Sequence, residues 1–525
     1  MKLKDSEKSI FSSITRFFYG TFISKISGMF REIAMAAIWG ADPVIGTFWV
    51  AYRLAFIARK FVGETFLNMA FIPHFEELRK KDEKQAVIFF KNIKKKMLLI
   101  VGVGILVIEI LIFFIAGIKQ VWPSHCELLI AILIPSLLFL MLFSLNSALL
   151  NCQQGFFKPA VAPTIVNIIW IFIIFTCQIL SSEIFSLILS IGLGVGFLFQ
   201  WLITVPETKK FLMKFHDIKI SKKNTEPVIK FLRPVALGVI GLAATQVNAA
   251  ADMLWAQFVD PTGPLYLWYA VRIQQIPFAL IGMGFFAALL PPLSRAIQDD
   301  NFSQGAIFLK NALEQIGLLM CLAGLGVLFI GYEGLDLMFR HGRFRQDAVL
   351  QINHILTGFI PCILFGSWNV IAVIPFYAKK QYQIPAIAAL LSIGINILFN
   401  AVFILVFKKG ISSIAWATSF SAIVQFVFLM IYLMKFWKKV AITFKIYKAL
   451  ISIIGTGIIT AIILLLLMRL GVGYTCIPAN ASFLQRIILF CLKGASIISI
   501  FIGVTMLCRI PAARGMLRRI TGRNG

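Results

Sequence analysis

The chain has 525 residues, of which 59% are hydrophobic and only 14% charged, and it carries a formal net charge of +27. A soluble chain of this length would form several domains with about 25% charged residues; a mean hydropathy of +0.88 excludes a soluble enzyme, a disordered chain and a secreted disulfide scaffold. Side chains of this composition belong against lipid tails.

Apolar runs of about 20 residues cross a bilayer as helices, because a helix satisfies its own backbone polar groups there. Fourteen such runs are read in chain order, near 10–39, 44–75, 97–117, 127–150, 160–180, 184–205, 231–258, 265–292, 311–331, 350–377, 384–407, 411–434, 447–468 and 487–508. The expected fold is an all-α integral membrane protein with about fourteen transmembrane helices. Charges precede the first run, but no small-residue cleavage site follows it, so it is expected to be retained rather than removed as a signal peptide. Runs 1, 2 and 8 exceed what a membrane needs, which predicts a tilt or a break.

Cations inside the spans come next. Run 1 holds Lys25 and Arg31, run 2 holds Arg53, Arg59 and Lys60, run 8 holds Arg272, and Lys493 lies near the start of run 14, where it reads as a snorkelling side chain. The first six are too costly for lipid and should face a watery cavity, since a centrally placed cation costs about 2.5–3.5 kcal/mol even on the lowest insertion scale. In a continuous helix Arg53 and Lys60 share a face. Glu64, four residues after Lys60, allows an ion pair as readily as a ligand role for both. Ser27-Gly28 predicts a point where run 1 breaks or bends. Few acids, mainly Glu32, Glu64, Glu109 and Asp252, oppose these cations. The excess positive charge therefore calls for an anionic ligand, and a diphosphate would supply several charge-assisted hydrogen bonds. Arginines bonded to helix-end carbonyls and water are the plainer alternative.

Most of the 50 Lys and Arg fall in segments that an N-inside, C-inside orientation makes cytoplasmic, 76–96 and 206–233 being the richest, while the loops around Asp42 and Asp260 hold none. The cations thus read as topology signal and contact with anionic membrane lipids, not as a nucleic-acid surface. The eight cysteines are scattered singly and read as packing residues.

Run 2 and run 8 repeat each other. Trp49-x-Ala51-x-Arg53, Gly63 and Pro73 recur as Trp268-x-Ala270-x-Arg272, Gly282 and Pro292 at a constant offset of 219. Ile134-Pro135-x-Leu137-Leu138-Phe139 recurs as Ile360-Pro361-x-Ile363-Leu364-Phe365, and Pro159-Ala160 as Pro385-Ala386, both at an offset of 226. Two diverged six-helix copies would leave this pattern. An even number of spans makes the copies parallel, around a central cavity with alternating access. The expected divisions are a first lobe at 1–220, a second at 221–440 and a two-helix addition at 441–525.

Taken in order, Ser24-Lys25, Phe30-Arg31-Glu32, Phe48-x-Val50-Ala51, Arg59-Lys60-x3-Glu64, Ala70-Phe71-Ile72-Pro73, Leu290-Pro291-Pro292-Leu293-Ser294 and Phe339-Arg340-His341-Gly342-Arg343-Phe344 resemble the MurJ (MviN) family. The resemblance runs from about residue 10 to 435. It implies the fold of the MOP exporter superfamily, two six-helix lobes with two further helices that form a lipid-tail groove. It also implies that the chain flips lipid II, the undecaprenyl-diphosphate-linked peptidoglycan precursor, outward across the bacterial cytoplasmic (inner) membrane, with peptidoglycan-synthesis proteins as candidate partners. Arg31, Arg59 and Arg272 fall where that family has cavity arginines, and Lys25 where an arginine is usual. Gly46 stands in place of an aspartate, with Asp42 four residues earlier, and Gln275 in place of a glutamate.

The resemblance further suggests a sodium site from Asp252, Asn396, Asn400 and Thr418; Asn and Thr serving as polar glue between helices is the other reading. No further cofactor is expected, and no phosphate-binding loop of the GxxxxGK[ST] type is present. Rival functions are a flippase for another polyprenyl-linked oligosaccharide, a membrane enzyme acting on polyprenyl phosphates, and a non-transporting scaffold for cell-wall synthases. An exporter of cationic drugs would be expected to use acidic cavity groups.

Overall fold

The computed structural model describes residues 7–57, 59, 71–116, 125–153, 155–215, 245–299, 301–379, 381–436, 442–470, 482–508 and 510, and among these the secondary structure is helical, with no strand. Helix α1 (Glu7–Trp39) spans 33 residues and passes unbroken through Ser27-Gly28, so the break expected there does not occur. Its own carbonyls absorb the serine: Ser27 Oγ donates to Ser24 O at 2.9 Å. Gly40, at φ 63°, ends the helix in a conformation that costs glycine little.

Helix α2 (Pro43–Ala55) begins where Asp42 accepts a hydrogen bond from Val44 N at 2.7 Å and proline presets the first turn. It stops after 13 residues; the shared face expected of Arg53 and Lys60 involves Lys60, which lies outside the described residues. Short α3 (Ile72–Lys81) leads into α4 (Glu83–Ala116), then α5 (Cys126–Cys152), α6 (Phe157–Thr176) and α7 (Ser182–Met213). Helix α8 covers 245–259. Run 8 is broken, as its length predicts: α9 (Gly263–Pro277) passes through a wider π turn (Phe278–Gly282) into α10 (Met283–Gln298). There follow α11 (Phe302–Phe339), α12 (Gln346–Gly358), α13 (Ile360–Ala378), α14 (Gln383–Ala401) with a π turn (Val402–Val406), α15 (Ser412–Phe436), α16 (Ile442–Arg469) and α17 (Phe483–Leu507).

The prolines of the matched motifs lie at comparable points of their helices. Pro135 tightens α5 into a 3-10 turn at Ile134–Ser136, and Pro361 follows the interruption between α12 and α13. Pro159 and Pro385 both lie in the opening turns of their helices.

Among the described residues ten helices are long and apolar enough to cross a membrane, matching ten of the fourteen expected runs. The other four are instructive. Helix α1 carries Lys25, Arg31 and Glu32 in its length, α2 is short, α8 is described over 245–259 only, and the π turn divides run 8. The lipid-facing character is plainest in α4, where Leu99, Leu106 and Phe113 are 68, 63 and 79% exposed; in water such a face would be an association surface.

The chain divides into two compact units, residues 1–265 with 341–344, and residues 266–340 with 345–525. In the first, Trp49, Phe48 and Trp170 are fully buried and pack ring on ring, Trp49 stacked on Trp170 at 5.6 Å. The His341–Phe344 segment docks in that unit on the end of α1: Arg343 N donates to Ala37 O at 2.8 Å, and Phe344 is buried. Gly342, at φ 58°, has no room for a side chain, since a Cβ would lie 2.2 Å from Ala37 O. In the second unit Trp368 anchors the core, stacked on Phe426 and donating from Nε1 to Leu313 O at 3.0 Å.

Candidate cationic site

Arg31 is the best-held cation of the first unit. Its NH1 donates to Asn167 Oδ1 on α6 at 3.0 Å, its NH2 pairs with Glu32, and its guanidinium lies 4.2 Å over the Trp170 ring. Asn167 in turn donates to Ser27 Oγ at 2.9 Å and Ser24 O at 3.2 Å, so α1 and α6 are joined by a polar knot inside apolar packing. Glu32, one of the few acids in the spans, is thus the partner of Arg31. Adjacent residues do not face each other on a helix, yet the long forked side chain reaches back to Glu32, whose side chain is only 10% exposed. One guanidinium donor, Nε, is buried without an acceptor. A buried charged donor left unbonded is costly, and an arriving anion would satisfy it.

The same aromatic floor reaches α2. Trp49 and Tyr52 pack on Trp170, at 5.6 and 5.9 Å, and precede half-buried Arg53 in sequence. Arg59 is exposed one turn beyond α2, and Lys25 is exposed on α1. Lys60 and Glu64 lie outside the described residues. In the second unit Arg272 is exposed with its guanidinium 4.3 Å over the Trp268 ring. This gives the repeated Trp-x-Ala-x-Arg motif a physical sense: Trp268 and Ala270 are buried, and the arginine four residues on rests on the indole, held by cation–π attraction. Gln275 is exposed.

Gly46, where the resemblance leads one to expect an aspartate, has no space for one: a Cβ there would meet Pro261 O at 2.5 Å. Asp42 is occupied as the cap of α2.

Lys493 does not snorkel. It is 7% exposed and pairs with Glu333 on α11 at 2.7 Å, while one α17 turn-pair earlier Arg486 meets Asp336 at 3.3 Å. Outside the spans, the Lys81 ammonium, 3.0 Å from Glu77, holds that exposed carboxyl below the usual carboxylate range by hydrogen bond and charge.

The residues suggested for sodium bond to one another. Asn396 Nδ2 donates to Thr418 Oγ1 at 3.1 Å, Asn400 Nδ2 to Asn396 Oδ1 at 2.9 Å, and Thr418 Oγ1 to Ile414 O at 3.0 Å. Asp252 lies in the first unit, 3.5 Å from Asn248 Nδ2. The amides and hydroxyl join α14 to α15 as polar glue. Among the described residues no three His, Cys, Asp or Glu gather as a metal cluster.

Asn167, Trp170 and Glu333 were not singled out from the sequence. A lone amide midway along the apolar run 160–180 was the available signal for the first.

The family model described as lipid II flippase MurJ matches residues 35–478. The chain belongs to the MurJ family. A probable lipid II flippase MurJ of Chlamydia pneumoniae is 36% identical over 432 residues, covering 82% of this chain and 78% of its own. A solved lipid II flippase MurJ in an inward closed conformation superposes with a TM-score of 0.73 at 23% identity, over 92% of this chain and 98% of that one. An inward-facing multidrug resistance MATE family transporter of the MOP superfamily shares the fold more distantly, with a TM-score of 0.55 at 12% identity, over 82% of this chain and all of the other. The chain is thus a multi-pass membrane protein of the MurJ family with a MOP-superfamily fold.

Proposed function

We propose that this protein flips lipid II from the inner to the outer leaflet of the bacterial cytoplasmic membrane, with both termini inside. The lobes are residues 1–220 and 221–440, with 441–525 as an added helix pair, and they alternate access around a cationic cavity. The diphosphate enters between the lobes and gives up water for Arg31, Arg53, Arg59, Lys25 and Arg272, while the polyprenyl tail stays in lipid. The protein acts as a carrier and makes or breaks no covalent bond. Membership of the MurJ family supports the substrate, and the observation that carries the chemistry is the buried, unbonded Nε of Arg31, a charge-assisted donor suited to a phosphate oxygen.

The test is to deplete a bacterium of its own flippase, express this chain and measure how much lipid II a cleaving reagent added outside can reach. Wild type should restore accessibility, Arg272→Ala should abolish it, and Arg31→Lys should lower it at least about tenfold, because an ammonium lacks the planar fork. Restoration by all three would remove the arginines from the mechanism. Failure of a well-inserted wild type would redirect the proposal to another polyprenyl-linked oligosaccharide.

A further inference from the structure

The turn joining α14 to α15 is built unlike a plain connection between two spans. The π turn Val402–Val406 widens the end of the helix, and the chain leaves it with Phe407 N donating to Val402 O at 3.1 Å and Lys409 N to Phe403 O at 2.9 Å. π turns of this kind recur at functional sites. Beside it lies an open groove of about 530 Å³, lined by Phe403, Phe407, Trp416 and Phe420 together with Lys409 and Ser412. The rings support one another, Phe420 stacking on Phe399 at 5.4 Å and standing 6.2 Å from Phe403. They are also open to the outside: Phe407, Trp416 and Phe420 are 58, 43 and 40% exposed.

Two features define the occupant. The groove lies where the apolar spans Gln383–Val406 and Ser412–Lys435 end, the depth at which lipid phosphates sit and tryptophan collects. Exposed Lys409 lines it and exposed Lys408 precedes it in the chain, while its other walls are aromatic, so the fitting ligand is apolar at one end and anionic at the other. Lys408 is held at φ 48°, a conformation glycine adopts more cheaply. A soluble anion would leave the rings wet, and an uncharged lipid would leave both ammoniums unmatched.

We infer that the groove between the π turn and α15 holds an anionic glycerophospholipid of the adjoining leaflet, its phosphate at Lys408 and Lys409 and an acyl chain along Phe403, Trp416 and Phe420. The site lies within one unit, apart from the cationic site, and does not depend on what the protein transports.

The full chain, reconstituted with phosphatidylglycerol or phosphatidylcholine brominated on the acyl chains, tests this through Trp416 fluorescence, taken as the difference between wild type and Trp416→Phe. Phosphatidylglycerol should reach half-quenching at about tenfold lower mole fraction than phosphatidylcholine. Lys408→Gly combined with Lys409→Gln should erase the preference, and Lys409→Gln alone, which leaves the backbone untouched, should weaken it. Equal quenching by the two lipids overturns the proposal, as does a preference that survives both substitutions. Displacement of the brominated phosphatidylglycerol by equimolar undecaprenyl diphosphate overturns the phospholipid assignment and gives the groove to the polyprenyl lipid.

Discussion

Arg31 does three things with one side chain: it closes the polar knot with Asn167, neutralises Glu32 and lies on Trp170. Only a flat, delocalised cation can donate in its plane and stack on its face at once. Its role was legible as a charge out of place in an apolar run. Its setting was not, because Asn167 is 136 residues away and nothing local in sequence pairs them. Gly46 is the reverse case. The sequence marked it as a departure from the resembled pattern, and the backbone of Pro261 supplies the cause. A carbonyl cannot swing aside as a flexible side chain can, so Gly46→Ala should cost about 1–3 kcal/mol of stability by overpacking. Thermal unfolding of the purified protein in detergent measures this, and an unchanged midpoint would mean the turn at 260–263 yields.

At the level of elements, α11 and α17 are joined by two ion pairs, Glu333 with Lys493 and Asp336 with Arg486. The first is largely shielded, with side chains 18 and 8% exposed. Removing one partner strands the other's charge, and breaking such a buried pair costs about 3–5 kcal/mol, less here for the exposed edge of Glu333. Lys493→Met or Glu333→Leu alone should therefore destabilise the detergent-purified protein strongly. The double variant should recover most of the loss, because two apolar side chains replace two desolvated charges. A loss in the double variant equal to the sum of the two single losses would show that the pair is not coupled. Apolar length revealed these helices, though α11 runs well beyond the expected 311–331 at both ends, and a lysine near a helix end looks alike whether it reaches for water or for an acid on another helix. The interruptions were more readable: the excess length of runs 2 and 8 announced the stop at Ala55 and the π turn at Phe278–Gly282, whereas Ser27-Gly28 misled, since Ser27 bonds back into its own helix.

At the scale of the whole molecule, hydropathy alone placed the chain in a bilayer, and ten of the fourteen runs stand out again as spans. Charge or a break interrupts the apolar length in runs 1, 2 and 8, the runs that bear Arg31, Arg53 and Arg272. Polar function and apolar span compete for the same residues, so the site is least visible to the measure that finds the fold. If lipid II is the cargo, each negative charge moved outward gains about 2.3 kcal/mol per 100 mV of inside-negative potential, or about 4–5 kcal/mol for a doubly charged diphosphate. Collapsing the potential with an ionophore should slow the appearance of externally cleavable lipid II, and an unaltered rate would mean that the cargo crosses with its charge compensated.

The Glu333–Lys493 pair also sets an order of birth. The two residues are 160 positions apart, so Glu333 enters the membrane during synthesis well before its cation exists. Until α17 arrives, α11 carries an acid whose partner is still to be translated, and α17 in turn can lose its lysine's hydration only by meeting α11. A polypeptide cut short before Phe483 would therefore hold the Glu333 carboxylate without the ammonium that pairs with it in the folded protein.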